Sequence, residues 1–179
     1  IEKYYQTLFK KCSKMMMTLN QMPQPIIARV HGIATAAGCQ LVAACDLAVA
    51  AEDARFATSG IKVGLFCSTP AVPISRNIPR KQAMELLLTG EFIDAHTALN
   101  WGLINRTAPL QKLDEEIKIL ADSILAKSPE AVSTGKKMFY KQLELNMKDA
   151  YAFASDIMAC NMMSKDASKG IKSFINKLN

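Results

Sequence analysis

The chain has 179 residues, half of them hydrophobic, with 22 Lys and Arg against 16 Asp and Glu and a formal net charge of +6. That length and apolar content exclude a disordered chain and fit one domain with a sizeable core. The excess charge is dispersed among acids, as in Lys112, Asp114, Glu115, Glu116 and Lys118, so neither a concentrated nucleic-acid patch nor a nucleic-acid partner is expected.

Residues 3–20 place Tyr5, Leu8, Cys12, Met15 and Leu19 at helical spacing, and the Met-Pro-Gln-Pro that follows ends that helix. IIARVHG then reads as a β-branched strand stopping at Gly32. The apolar run from Ile33 to Ala51 is long enough to raise the question of a bilayer. Gln40 and Asp46 interrupt it and no aromatic belt flanks it, so no membrane span is expected. Within it, Gly38 and the small residues before it suggest tight backbone packing ahead of a helix from about Cys39 to Cys45. LAVAAE follows as a buried strand.

Residues 54–74 carry short apolar pieces broken by Gly60, Gly64 and Pro70, which predict short strands and a loop. A helix is expected from Arg80 to Leu88, closed by Gly90. Asp94 reads as the N-cap of a helix over AHTALNW that ends at Gly102, and LINRTA as a strand. Beyond Pro109 the pattern is all helix, with Ser128-Pro129 and Asn146 as starts. The order is therefore α/β over residues 1–109, then helices over 110–179. The second part would expose Phe153, Ile157 and Met158 unless it packs on the first part or on another subunit.

Cys12, Cys39, Cys45, Cys67 and Cys160 are odd in number and lack metal-ligand spacing, which predicts reduced thiols of an intracellular protein and no zinc site. No signal-peptide pattern opens the chain. Ile1 already begins a helical stretch without a Met, so the sequence reads as a piece of a longer chain.

PQPIIARVHGIATAAGCQLVAACDLAVAAEDARF resembles the signature of the crotonase (enoyl-CoA hydratase/isomerase) superfamily. LLLTGEFIDAHTALNWGLINR and GIKSFINK resemble two later segments of the same family. TAAGCQLVA and VGLFCSTP further resemble its enoyl-CoA hydratase domain-containing protein 3 branch. The resemblance implies a ββα superhelical spiral, with its N-terminal part outside this sequence, and a C-terminal helical region that packs trimers or hexamers. It also implies binding of acyl-CoA thioesters, with coenzyme A part of the substrate and no separate cofactor, and a place in the cytoplasm or the mitochondrial matrix.

The resemblance carries particular residues with it. The N–H of Ala37, flanked by Ala36 and Gly38, matches the second donor of an oxyanion hole for the thioester oxygen, at a helix start suited to a developing enolate. The alternative is that these small residues only pack a strand on a helix. The family's hydratases use two glutamates around one water, and their positions here hold Gln40 and Gly60. An amide cannot serve as a general base, and no Asp, Glu or His lies between Asp53 and Glu85. Ordinary hydration is therefore expected to be weak or absent, and Gln40→Glu with Gly60→Glu is expected to raise it. Cys67 and Ser68 are candidate substrate contacts, although Cys67 has no visible base beside it. Phe174 and Lys177 match positions that approach coenzyme A. His31 and His96 read as structural residues.

Overall fold

The computed structural model describes residues 1–178, with the last two defined by their backbone alone. Two compact units make up the chain, residues 1–122 and residues 123–179.

The first unit begins with helix α1 (Glu2–Gln21), which ends where Pro23 and Pro25 forbid its continuation. Strand β1 (Ile27–Val30) follows, and the chain then turns through His31 and Gly32 into β2 (Ile33–Thr35), which belongs to a different sheet. The sequence pattern places one strand here and misses the second. β2 is three residues long, too short for a periodicity to register. Helix α2 (Ala37–Ala44), β3 (Leu47–Ala51) and β4 (Arg55–Ala57) complete the alternation.

Residues 54–74 differ from the sequence expectation beyond β4. A 3-10 turn over Ser59–Val63 leads by way of Gly64 to a full helix, α3 (Ser68–Asn77), where a loop was predicted. Pro70 sits in the first turn of α3, where its missing N–H costs no bond, whereas Pro73 lies inside the helix. Packing of the fully buried Ile74 and the buried Pro70, with α3 lying against α2, outweighs the loss. α4 (Arg80–Thr89), β5 (Ile93–Asp94), α5 (Ala95–Trp101), β6 (Arg106–Ala108) and α6 (Leu113–Leu125) follow. Gly90 and Gly102 close α4 and α5 in the left-handed conformation, and the Asp94 side chain accepts the Thr97 N–H at 2.7 Å, as those residue types predict.

One sheet has the order β1-β3-β6 and is wholly parallel, and the other is β2-β4-β5 with its last pair antiparallel. The central β3 is covered on both faces, which is why LAVAA shows no alternation. Arg29, Val49 and Arg106 share one row across the first sheet. Arg29 pairs with Asp114 at 2.5 Å and Arg106 with Glu116 at 2.7 Å, so the acidic first turn of α6 is clamped over the buried Val49. The core comprises Val49, Phe56, Ile74, Leu86 and Leu113, with small residues such as Ala50, Ala95 and Ala98 where helices approach strands closely.

The second unit is helical, with α7 (Pro129–Gln142), α8 (Met147–Met162) and α9 (Lys165–Leu178). Ser128 and Asn146 cap α7 and α8 by accepting the Ala131 and Asp149 N–H groups. Among the described residues no helix is long and apolar enough to cross a membrane.

Candidate functional site

The site is built where β2 hands the chain to α2. The Ala36 N–H donates to Ala57 O on β4 at 3.0 Å, which pins the end of β2 against the second sheet. Immediately afterwards the backbone bends sharply, with Ala36 at φ 49° and ψ −115°, the only non-glycine with positive φ among the described residues. An L-residue in this region carries about 1–3 kcal/mol of strain, sustained here by the fixed strand before it and the helix after it. The bend starts α2 with no side-chain cap, and the first helical bond runs from the Gln40 N–H to Ala36 O at 3.0 Å. The N–H groups of Ala37 and Gly38 therefore stand in the uncapped first turn, at the positive end of the helix dipole. Both residues are exposed.

Gly38 stands in the opening turn of α2. A Cβ placed on it would meet nothing within 4 Å. Among the described residues, nothing packs against the side of Gly38 where that Cβ would stand, and the opening turn of α2 is uncovered at this point.

The Ser59-Gly60 segment is brought to the same place by the second sheet. Thr35 Oγ1 and Ser59 Oγ are 2.7 Å apart, linking the end of β2 to the turn that carries Gly60. Gly60 itself is enclosed. The Leu65 N–H donates to Gly60 O at 2.9 Å, and a Cβ on Gly60 would lie 2.7 Å from Leu65 O and 2.8 Å from Cys67 Sγ. The position is filled by the chain folding back over it. Gly60→Glu therefore cannot be the simple restoration that the sequence suggests, because backbone would have to move first.

Gln40 lies one helical turn beyond Ala37, only 3% exposed, with Oε1 accepting from Cys12 Sγ of α1 at 3.9 Å. Cys12 is the residue that sequence reasoning missed. It belongs to the helical stripe read from Tyr5 to Leu19, but nothing local connects it with Gln40. The remaining candidates are scattered. Cys67 is buried behind Gly60, and Ser68 is exposed with its hydroxyl on Phe66 O at 3.3 Å. Phe174 is exposed on α9, and the side chain of Lys177 lies outside the described residues. His31 is exposed, and His96 Nδ1 is 3.1 Å from Asn100 Nδ2 on the surface of α5.

Burial raises the Cys39 thiol to about 12, reinforced by its neighbour Cys67, so Cys39 is a packed thiol and not a nucleophile at neutral pH. Among the described residues no group of three His, Cys, Asp or Glu side chains is placed to hold a metal. A small polar cleft at the opposite end of α2 involves Asp46, Asn77 and Asn105. Their side chains hold backbone: Asp46 accepts the Ile26 N–H, Asn105 accepts the Ala48 N–H, and Asn77 donates to Ala43 O.

An α/β framework of two small sheets thus presents an uncapped helix start, with a buried amide one turn along and an enclosed glycine beside it. The enoyl-CoA hydratase/isomerase family model matches residues 2–179, and the chain belongs to that family. Over 174 residues it is 48% identical to the mitochondrial enoyl-CoA hydratase domain-containing protein 3 of Xenopus laevis, covering 97% of this chain and 59% of the relative. The crystal structure of an enoyl-CoA hydratase from Mycobacterium smegmatis superposes with a TM-score of 0.97 at 54% identity, covering 99% of this chain and 69% of that one. The human enoyl-CoA hydratase domain-containing protein 3 structure gives 0.94 at 47%, covering 98% and 70%. The fold is accordingly crotonase-like, and the chain spans about three-fifths of the length of the curated relatives it matches.

Proposed function

We propose that the protein binds acyl-CoA thioesters and holds the thioester oxygen on the Ala37 N–H, with Ala36 and Gly38 shaping the approach, but does not carry out ordinary two-carboxylate hydration. The observation that carries this reading is the uncapped first turn of α2, open in front of Gly38 and set by the strained Ala36, with Gln40 and an enclosed Gly60 beside it. A backbone N–H that is fixed before the reaction stabilises a developing enolate without reorganising, and one such donor is worth about 10²–10³ in rate.

Hydration also needs a group that takes a proton from water near neutral pH. Gln40 cannot do so, and Gly60 brings no side chain. With each acid or base contribution worth about 10²–10⁴, turnover by that route falls towards background. A second reading, a non-catalytic acyl-CoA-binding or assembly subunit, is favoured by the way Leu65 and Cys67 occupy the space beside Gly60.

Coenzyme A enters as part of the substrate, and Phe174 and Lys177 are proposed contacts for it. A trimer or a pair of trimers is the proposed assembly. The mitochondrial matrix is the proposed location, in keeping with the mitochondrial designation of the enoyl-CoA hydratase domain-containing protein 3 relatives.

Hydration of crotonyl-CoA by the full-length protein, followed by loss of the enoyl thioester absorbance, is expected to stay near background while calorimetry detects binding of acyl-CoA. Turnover at ordinary enzymatic rates would overturn the loss of hydration. Absence of binding by any acyl-CoA would overturn the thioester reading. Reaction of a bound thioester by another route separates the enzyme from the binding subunit.

A further inference from the structure

The buried amide of Gln40 is oriented as a donor, and its environment limits what it can recognise. Its Oε1 is engaged by Cys12 Sγ, while Nε2 has no hydrogen-bond partner among the described residues. No buried side-chain nitrogen or oxygen lacks a partner there, so this unpaired Nε2 is not sealed in and opens on accessible space. The side chain as a whole is only 3% exposed, which confines that opening to a narrow approach.

Direction follows from helix geometry. Residues three apart share a face of a helix, and their Cα–Cβ bonds tilt towards its N-terminus. Gln40 therefore leans back towards the turn that carries the Ala37 N–H. A thioester whose carbonyl oxygen sits on that N–H would place its first acyl carbons within reach of Nε2. An amide N–H gains nothing from a saturated or enoyl carbon. Left facing such a carbon without water, it loses the bond that it makes to solvent in the free protein.

We infer that Gln40 is a specificity-determining residue that selects acyl thioesters bearing an acceptor oxygen on the acyl carbons nearest the thioester, as in a 3-oxoacyl group. The inference rests on the acyl-thioester reading given above. Cys12 acts as a positioning residue: by engaging Oε1 it turns Nε2 to the ligand.

The test is calorimetric binding to the full-length protein of two thioesters matched in length, butyryl-CoA and acetoacetyl-CoA, with malonyl-CoA distinguishing a carboxylate from a ketone acceptor. Acetoacetyl-CoA is expected to bind about fivefold to tenfold more tightly than butyryl-CoA, the range of one neutral hydrogen bond. In Gln40→Met, which keeps the side-chain volume and removes the donor, the two are expected to converge to within about twofold. Cys12→Ser, which keeps a donor to Oε1, is expected to retain the preference. A preference for malonyl-CoA over acetoacetyl-CoA would keep the acceptor-oxygen inference and move the ligand class to half-acids.

Equal binding of butyryl-CoA and acetoacetyl-CoA by the wild type, with malonyl-CoA no tighter, would overturn the inference and leave the thioester reading intact, and this comparison needs no variant. A wild-type preference that persists in a folded Gln40→Met would also overturn it. Failure of all three ligands to bind would overturn the thioester reading itself.

Discussion

At the scale of single residues, the two positions that the family resemblance matches to carboxylates differ in their surroundings. Gln40 has nearly the shape of a glutamate and differs from it in what it can do with a proton. At Gly60, however, the path of the chain itself leaves no room for a side chain. Leu65 O and Cys67 Sγ stand within 3 Å of where a Cβ would be, so the loop and the glycine require each other. Gly60 does not have a positive φ, so backbone strain does not oppose a side chain there; only space does. Gly60→Ala is thus expected to destabilise the protein by overpacking, by about 1–3 kcal/mol, seen as a lower midpoint in thermal denaturation. Cys67→Ala in the same background should recover part of the loss by vacating the sulfur. A Gly60→Ala protein as stable as the wild type would show that the loop yields freely.

Among the elements, those with local punctuation are the ones readable from sequence. Asp94, Ser128 and Asn146 start helices, and Gly90 and Gly102 end them, because each satisfies or relieves backbone within its own turn. Asp94 also makes a pH prediction. The Thr97 backbone N–H, first, and then its side chain hold the Asp94 carboxyl below its ordinary value. A carboxyl lowered in the folded state contributes stability that is complete above its unfolded value, about 3.9, and is lost as pH falls through the folded value. Asp94→Asn, which caps without titrating, is therefore expected to flatten the fall of the thermal midpoint below about pH 4 and to leave the neutral midpoint little changed. Parallel midpoint-against-pH curves for the two proteins would contradict this.

What was not legible at the element scale depends on distant partners. β2 is defined by pairing with β4 rather than by any pattern of its own, and α3 forms in spite of Pro73 because Ile74 is wholly buried. The candidacy of Gln40 and Gly60 rests on the family resemblance. That Cys12 would engage Gln40, or that Leu65 would close over Gly60, could not be read from the sequence, since each joins parts of the chain that only the fold brings together.

For the whole molecule, the contrast between the two units bears on assembly. The first has fully buried core residues from Val49 to Leu113, whereas α7 and α8 of the second contain no buried residue. Phe139, Leu143, Tyr151, Met158 and Phe174 are each at least half exposed. Burying a side chain of that size is worth about 1.5–3 kcal/mol, so a face of several of them left in water is a large unused driving force. The helices nevertheless carry well-formed caps at Ser128 and Asn146, and so do not depend on a partner for their ends. A partner would supply cover for the apolar faces, which is the physical basis for expecting assembly through this unit. Sedimentation analysis of the full-length protein at micromolar concentration is expected to give the mass of a trimer or of two trimers. Tyr151→Glu with Met158→Glu, which places charge on α8 without removing a core contact, is expected to shift that mass towards the monomer with little change in helical content. A wild-type protein that sediments as a monomer at that concentration would show that these faces are covered within the single chain, and the proposed trimer would be wrong.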